Sequence, residues 1–186
     1  MTVLRAFLKF PDEAALIGRM LAGYADLEID LMNCVKAVRE NLDTPLKVMF
    51  RARGETRRID MADALARQYY HQLKIGSEYD RSISAVRYCM KIRNQYAHCV
   101  WWDDNSGQLA FANLEEVAKM NAVVEDLSEL TTKYVNIDLL KEQFEYFEYA
   151  DDLLIWLIHK VAELEGRPFQ PNLSFPKQLE QPQLNL

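Results

Sequence analysis

The sequence predicts a mainly all-α fold: an antiparallel four- to five-helix bundle with a small β-hairpin inserted between the third and last long helices. Two observations predict it. Apolar residues recur at steps of three and four over long segments, whereas residues 100–111 have strand-forming residues on both sides of a polar turn. Because 186 residues are enough for one substantial core, we expect a single helical domain over residues 1–166 and a proline-rich extended tail over residues 167–186.

The first long helix is predicted to begin at Pro11, a residue favoured in the first turn of a helix. Its apolar stripe consists of Ile17, Leu21, Tyr24, Leu27, Leu31, Val35 and Val38. Glu28 and Asp30 lie beside this stripe. Each carboxylate is therefore expected either to face solvent or to pair with an arginine from another helix.

A short helix is predicted from Leu46 to about Ala52, with Thr44 as the N-cap and Pro45 at the first position. The densest basic cluster of the chain follows from its end: Arg51, Arg53, Arg57 and Arg58. Because arginines bind phosphate through charge, we expect this cluster to follow the backbone of a polyanion.

A second long helix is predicted from Ile59, and Gly76 is its expected C-cap. Its predicted apolar stripe consists of Met61, Leu65, Tyr69 and Leu73.

The third long helix, capped by Ser77 or Asp80, has two apolar stripes and should be covered on two sides. One stripe consists of Ile83, Val86, Met90, Arg93 and Ala97, and the other of Ala85, Cys89, Ile92 and Tyr96. Arg93 therefore lies on a contact face, where it needs an anion, a buried partner or a subunit interface.

The strands of the predicted hairpin are Val100–Trp102 and Leu109–Phe111. Asn113 and Glu116 have the spacing of a capping box for a short helix, and Thr131–Val135 could form a third strand. Asn136 is expected to cap the last long helix, whose stripe is Leu140, Phe144, Phe147, Asp151, Leu154, Leu157, Val161 and Leu164. Gly166 should end it, and the proline-rich tail either trails free or lies along the bundle.

Charge is unevenly spread along the chain. Its net charge is −6, yet residues 41–100 hold 11 Lys and Arg against 6 Asp and Glu, and residues 101–186 hold 6 against 16. The basic middle would attract a polyanion, although helix faces attracting one another within the fold would give the same imbalance. With three cysteines lacking C-x-x-C spacing, no signal-peptide pattern and no bilayer-length apolar run, we expect a cytoplasmic protein without membrane association.

The third helix ends in the run R-N-Q-Y-A-H, from Arg93 to His98. This run resembles the Arg-x4–6-His motif of the HEPN superfamily (higher eukaryotes and prokaryotes nucleotide-binding), in which the residue after the arginine is polar, as Asn94 is here. The resemblance covers residues 11–165. It implies a metal-independent endoribonuclease without a cofactor, acting as a homodimer whose two motifs line one cleft.

The resemblance also implies a toxin or phage-defence setting, with an antitoxin or other regulatory protein as a further partner. Superfamily toxins paired with a nucleotidyltransferase carry a tyrosine two residues after the histidine. Val100 stands there in this chain, so that particular pairing is not carried over.

The motif suits RNA cleavage because the 2′-OH of RNA is itself the nucleophile. We expect His98 to act as general acid or base, Arg93 to hold the phosphate, and Asn94 to orient the phosphate or the imidazole. Five residues of regular helix separate two side chains by about 140°. Either the helix therefore bends or ends before His98, or each residue completes a site with a second subunit.

Other residues that could carry chemistry have simpler interpretations. His71, His98 and His159 lack paired ligand spacing, so no metal site is expected. Adjacent strand residues face opposite ways, so at most one of Trp101 and Trp102 would stack on an RNA base. For the same reason, Cys99 and His98 are not expected to form a hydrolase pair. A non-catalytic dimerisation module that binds a nucleotide or a protein stays open as the alternative function.

Overall fold

The computed structural model describes residues 5–119, 126 and 130–184. In chain order its elements are α1 (Arg5–Lys9), α2 (Pro11–Arg39), α3 (Asp43–Arg51), α4 (Glu55–Gln72), α5 (Gly76–Tyr96), β1 (Cys99–Trp102), β2 (Leu109–Asn113), α6 (Leu114–Lys119), β3 (Lys133–Val135) and α7 (Ile137–Leu164). The predicted mainly helical class with an inserted hairpin is confirmed. Within the described ranges, no helix is long and apolar enough to cross a membrane.

The chain divides into two compact units, each made of discontinuous segments. The sheet unit comprises Met1–Ala22, Lys91–Glu145 and Pro182–Leu186, and the helical unit comprises Gly23–Met90 and Tyr146–Gln181.

In the sheet unit, the strands form an antiparallel sheet in the order β1-β2-β3. The hairpin is therefore extended by the third strand, which is shorter than predicted. The rings of Trp101 and Phe111 have centroids 5.0 Å apart, and Phe7 of the unpredicted helix α1 lies 5.5 Å from Trp101. Leu109 and Leu140 of the same unit are fully buried.

In the helical unit, α4 buries a different face from the one predicted. Its buried residues are Ile59, Ala62, Ala66 and Tyr70, whereas Met61 is 40 % exposed. Two alanines on the buried face allow close packing, and Tyr70 donates a hydrogen bond to the carbonyl of Cys34 (2.9 Å). On the outer face, Arg39 donates to the carbonyl of Leu65 (2.8 Å) and stacks on Tyr69.

Two helix boundaries also differ from the sequence prediction. Helix α3 begins at Asp43 with Leu42 as N-cap, and the backbone N–H of Thr44 donates to the side chain of Asn41 (3.2 Å). Thr44 is therefore inside the first turn and is not the N-cap.

Helix α4 ends without Gly76. Lys74 adopts the left-handed conformation (φ 62°), and the N–H of Ile75 reaches back to the carbonyl of Tyr70 (3.1 Å), which is the hydrogen bond of a Schellman motif. Gly76 instead begins α5, where a Cβ atom would collide with the imidazole of His71. A side chain at position 76 would therefore require the imidazole of His71 to move.

Helix α7 has the predicted ends. The N–H of Leu139 donates to the Asn136 side chain (2.8 Å), and Gly166 adopts φ 68° with the Arg167 N–H bonded to the carbonyl of Ala162. Within the helical unit the tail packs on α7: Trp156 donates to the carbonyl of Leu173 (3.2 Å). Of the two sequence alternatives, the tail therefore lies along the helices.

Candidate functional site

The helix that carries Arg93 ends before His98. Helix α5 stops at Tyr96, the N–H of Ala97 still bonds to the carbonyl of Arg93 (3.0 Å), and β1 begins at Cys99. His98 stands between them with φ 62°, in the left-handed region that few non-glycine residues adopt. The helix therefore ends before His98, which is the first of the two alternatives given above. The separation of about 140° between the Arg93 and His98 side chains, which holds for an ideal helix, does not apply.

The side chains of Arg93 and Asn94 are hydrogen-bonded to each other in the last turn of α5. Arg93 is half-buried, in agreement with its place on a contact stripe, and its Nη1 donates to Asn94 Oδ1 (3.1 Å). Ile92 and Tyr96, on the second stripe, are buried. The guanidinium is thus held by a neighbouring amide near an exposed surface, a suitable place for a group that binds phosphate.

His98 faces a carboxylate that is not part of the sequence motif, that of Glu115. The histidine side chain is 60 % exposed, and its Nε2 lies 3.4 Å from Oε1 of Glu115 in the first turn of α6. The carbonyl of His98 accepts a hydrogen bond from the N–H of Leu114 (3.1 Å). Backbone and side chain therefore both connect this histidine to the beginning of α6.

A single buried amide, that of Asn113, holds the two helix ends together. Its Nδ2 donates to the carbonyls of Asn94, Gln95 and Ala97 at 3.0 to 3.3 Å. Its Oδ1 accepts from the N–H groups of Glu115 (2.9 Å) and Glu116 (3.3 Å), as the predicted N-cap should. The amide thus satisfies carbonyls at the end of α5 and N–H groups at the start of α6.

Only part of this arrangement had a signal in the sequence. The capping-box spacing identified Asn113 as the cap of α6, but Glu116 pairs with Lys133 instead of completing the box. The contact of Asn113 with α5 depends on the strand register, in which Cys99 pairs with Asn113. Extending the predicted hairpin by two residues would have placed Asn113 beside the motif.

The basic cluster lies in the helical unit, where its four arginines differ in environment. Arg51, Arg53 and Arg57 are exposed. Arg58 instead forms an ion pair with Glu28 (2.7 Å), which is 3 % exposed. Of the two alternatives left open for Glu28, solvent exposure or an arginine of another helix, the structure shows the second, and Arg58 is that arginine.

The remaining candidates occupy structural positions. Trp101 packs against Tyr96 and Phe111, which leaves Trp102 as the one tryptophan of the pair that could stack on a base. Cys99 Sγ donates to the carbonyl of Gln95 (3.0 Å), and burial raises the pKa of this thiol to about 12. A thiol with that pKa is a poor nucleophile at neutral pH.

The other two histidines are in the helical unit. His71 lies over Gly76 and is 3.6 Å from Asp80, whereas Nδ1 of His159 accepts the N–H of Gln170 (3.1 Å). Among the residues that the structure describes, no three His, Cys, Asp or Glu side chains are grouped as metal ligands would be. Comparison of the chain with family models, curated proteins and solved structures gives no significant match.

Proposed function

We propose that this chain is a metal-independent endoribonuclease of the HEPN type, built on the antiparallel bundle of that superfamily and active as a homodimer. The observation that supports the proposal best is the end of α5. There an exposed histidine follows directly after a helix whose last turn holds the arginine and asparagine of the motif. Two copies of Arg93 and His98 in one cleft would supply two cations and two groups that transfer protons.

In the proposed reaction, one His98 removes the proton of a 2′-OH, and the resulting oxygen attacks the adjacent phosphorus. The P–O5′ bond breaks, and the second copy of His98 donates a proton to the leaving oxygen. Arg93 stabilises the negative charge that develops on the phosphate oxygens. The products are a 2′,3′-cyclic phosphate and a 5′-hydroxyl.

The exposed arginines of the helical unit are the proposed path for the RNA backbone outside the reacting phosphate. Arg51, Arg53 and Arg57 lie at or near the short connection between α3 and α4. Because exposed arginines bind phosphate through charge, this contribution should be independent of sequence and sensitive to salt.

The test is cleavage of a single-stranded RNA in EDTA by the wild-type chain, His98→Ala and Arg93→Ala. We expect cleavage by the wild type to leave 2′,3′-cyclic phosphate ends, and each variant to lose at least about 100-fold in rate. Circular dichroism and size exclusion would show that the variants keep the fold and the dimer. Equal cleavage by His98→Ala and the wild type would rule the proposal out.

A second candidate, the non-catalytic interaction module, is favoured by an apolar stripe on the helical unit. Leu42, Leu46 and Phe50 recur every four residues along α3, and each is at least 37 % exposed. Exposed apolar side chains on one helix face are typical of a surface that contacts another protein. Under this alternative, Leu46→Glu would disrupt assembly, and His98→Ala would have no effect on any activity.

A further inference from the structure

The first turn of α6 lies beside His98, the last residue of the motif. Glu115 brings a carboxylate oxygen to 3.4 Å from His98 Nε2, and Leu114 donates its N–H to the carbonyl of His98. The backbone hydrogen bond holds the main chain of the histidine, and the carboxylate lies beside its ring. Both contacts belong to the sheet unit alone.

Asn113 makes this placement rigid. Asn113 is only 5 % exposed. Its side chain makes five hydrogen bonds, which connect the end of α5 to the start of α6. A displacement of the first turn of α6 away from the end of α5 would have to break several of them. The backbone at Glu115 is therefore held relative to the backbone at His98, and the two exposed side chains meet at 3.4 Å.

The contact also distinguishes the two ring nitrogens of His98. In a neutral imidazole, the nitrogen that faces a hydrogen-bond acceptor carries the proton, and the other nitrogen keeps its lone pair. In this structure the group beside the ring is the Glu115 carboxylate, and the nitrogen that faces it, at 3.4 Å, is Nε2. We propose that Glu115 is a positioning residue that holds the proton on Nε2 of His98, so that Nδ1 exchanges protons with RNA; this rests on the function proposed above.

The proton balance of the reaction is consistent with this assignment. Nδ1 of the neutral ring takes the proton of the 2′-OH while the 2′-oxygen bonds to phosphorus. As the P–O5′ bond breaks, the second copy of His98, protonated on both nitrogens, releases its Nδ1 proton to the 5′-oxygen. Glu115 keeps its negative charge throughout and stabilises whichever ring is cationic.

Glu116 provides a matched control, because it is in the same first turn of α6 but pairs with Lys133. Glu115→Ala and Glu116→Ala would be compared with the wild type in two measurements. The first is kcat and KM for RNA cleavage. The second is the pair of imidazole nitrogen signals of His98 in ¹⁵N-labelled protein, which report the tautomer whether or not the protein cleaves RNA.

We expect Glu115→Ala to lower kcat about tenfold with KM unchanged, and to shift the His98 signals toward a mixture of tautomers. Glu116→Ala should change neither measurement. If an active wild type gives the same kcat and the same His98 signals with or without Glu115, the role of Glu115 is overturned and the proposed function stands. If the wild type does not cleave RNA, the proposed function fails, and the assignment of Nδ1 as the reacting atom fails with it.

Discussion

The carboxylate of Glu28 and the guanidinium of Arg58 are 2.7 Å apart, with the Glu28 side chain 4 % exposed and the Arg58 side chain 28 % exposed. The pair joins α2 to the first turn of α4 within the helical unit. A carboxylate at such a depth is costly without its cation, whereas an apolar pair of similar size would fill the same space at little cost. The ion pair thus explains how a charged residue can lie beside the apolar stripe of α2.

Arg58→Met should lower the free energy of unfolding by about 3 kcal/mol, because it leaves Glu28 buried without its cation. The double variant Arg58→Met/Glu28→Leu should recover most of that loss. Urea denaturation followed by circular dichroism measures both. The exposed neighbour Arg57→Met is the control, and equal stability of Arg57→Met and Arg58→Met would contradict the assignment.

The exposed arginines should act through charge alone. Reversing two of them in Arg51→Glu/Arg57→Glu should weaken RNA binding and reduce the slope of log Kd against log salt by about 1 to 2, because fewer counterions are released. Fluorescence anisotropy with a labelled single-stranded RNA at several salt concentrations measures the slope. Lys119→Glu/Lys177→Glu makes the same change of charge elsewhere, and an equal effect of the two double variants would remove the proposed RNA path.

Asp151 should make stability depend on pH. Burial raises its pKa to about 6, and the neighbouring carboxylates of Asp30, Asp152 and Asp26 add to the effect. Because this pKa is higher in the folded than in the unfolded chain, folding favours the protonated carboxyl. The stabilisation is complete below about pH 4 and is lost as pH rises through about 6.

Asp151→Asn removes this charge and should therefore raise the stability at pH 7.5 by roughly 1 kcal/mol, a value reduced for a site that solvent partly screens. The gain should disappear at about pH 4. Thermal unfolding across this range would show the convergence. The exposed neighbour Asp152→Asn is the matched control, and a gain of the same size from that variant would indicate a general effect of net charge.

The left-handed backbone conformation of His98 affects the stability of the protein independently of any catalytic role of its side chain. At φ 62° a residue with a Cβ is strained by about 1 kcal/mol relative to glycine. His98→Gly should therefore be at least as stable as the wild type, whereas His98→Val should be less stable, since a β-branched residue tolerates this region worst. Differential scanning calorimetry gives the order, and a His98→Val variant as stable as His98→Gly would show that the local backbone is not strained.

The sequence predicted the elements better than the contacts between them. Helices α2 and α7 were predicted from their periodic apolar residues, and Asn136 and Gly166 mark ends that depend on local hydrogen bonds. In contrast, the stripe of α4 was assigned to Met61 and Leu65, because alanines carry little signal in a hydrophobicity pattern. Ala62 and Ala66 are buried because their small size allows close packing, which depends on the neighbouring elements.

The candidate site shows the same division. Arg93 and His98 were found by their spacing, and the end of α5 before His98 followed from the change of pattern at Val100. Glu115 lies 17 residues from His98 along the chain, and only the register of β1 and β2 brings them together. A sequence motif therefore identifies site residues on one segment, whereas a partner on another segment can be identified only from the folded structure.

The close contact between His71 and Gly76 restricts how this chain can diverge. A methyl group at position 76 is compatible only with a smaller or displaced side chain at position 71, whereas a smaller residue at position 71 leaves position 76 free to vary. Substitutions at these two positions should therefore be coupled. In an alignment of homologues, residues larger than glycine at 76 should occur mainly together with a residue smaller than histidine at 71.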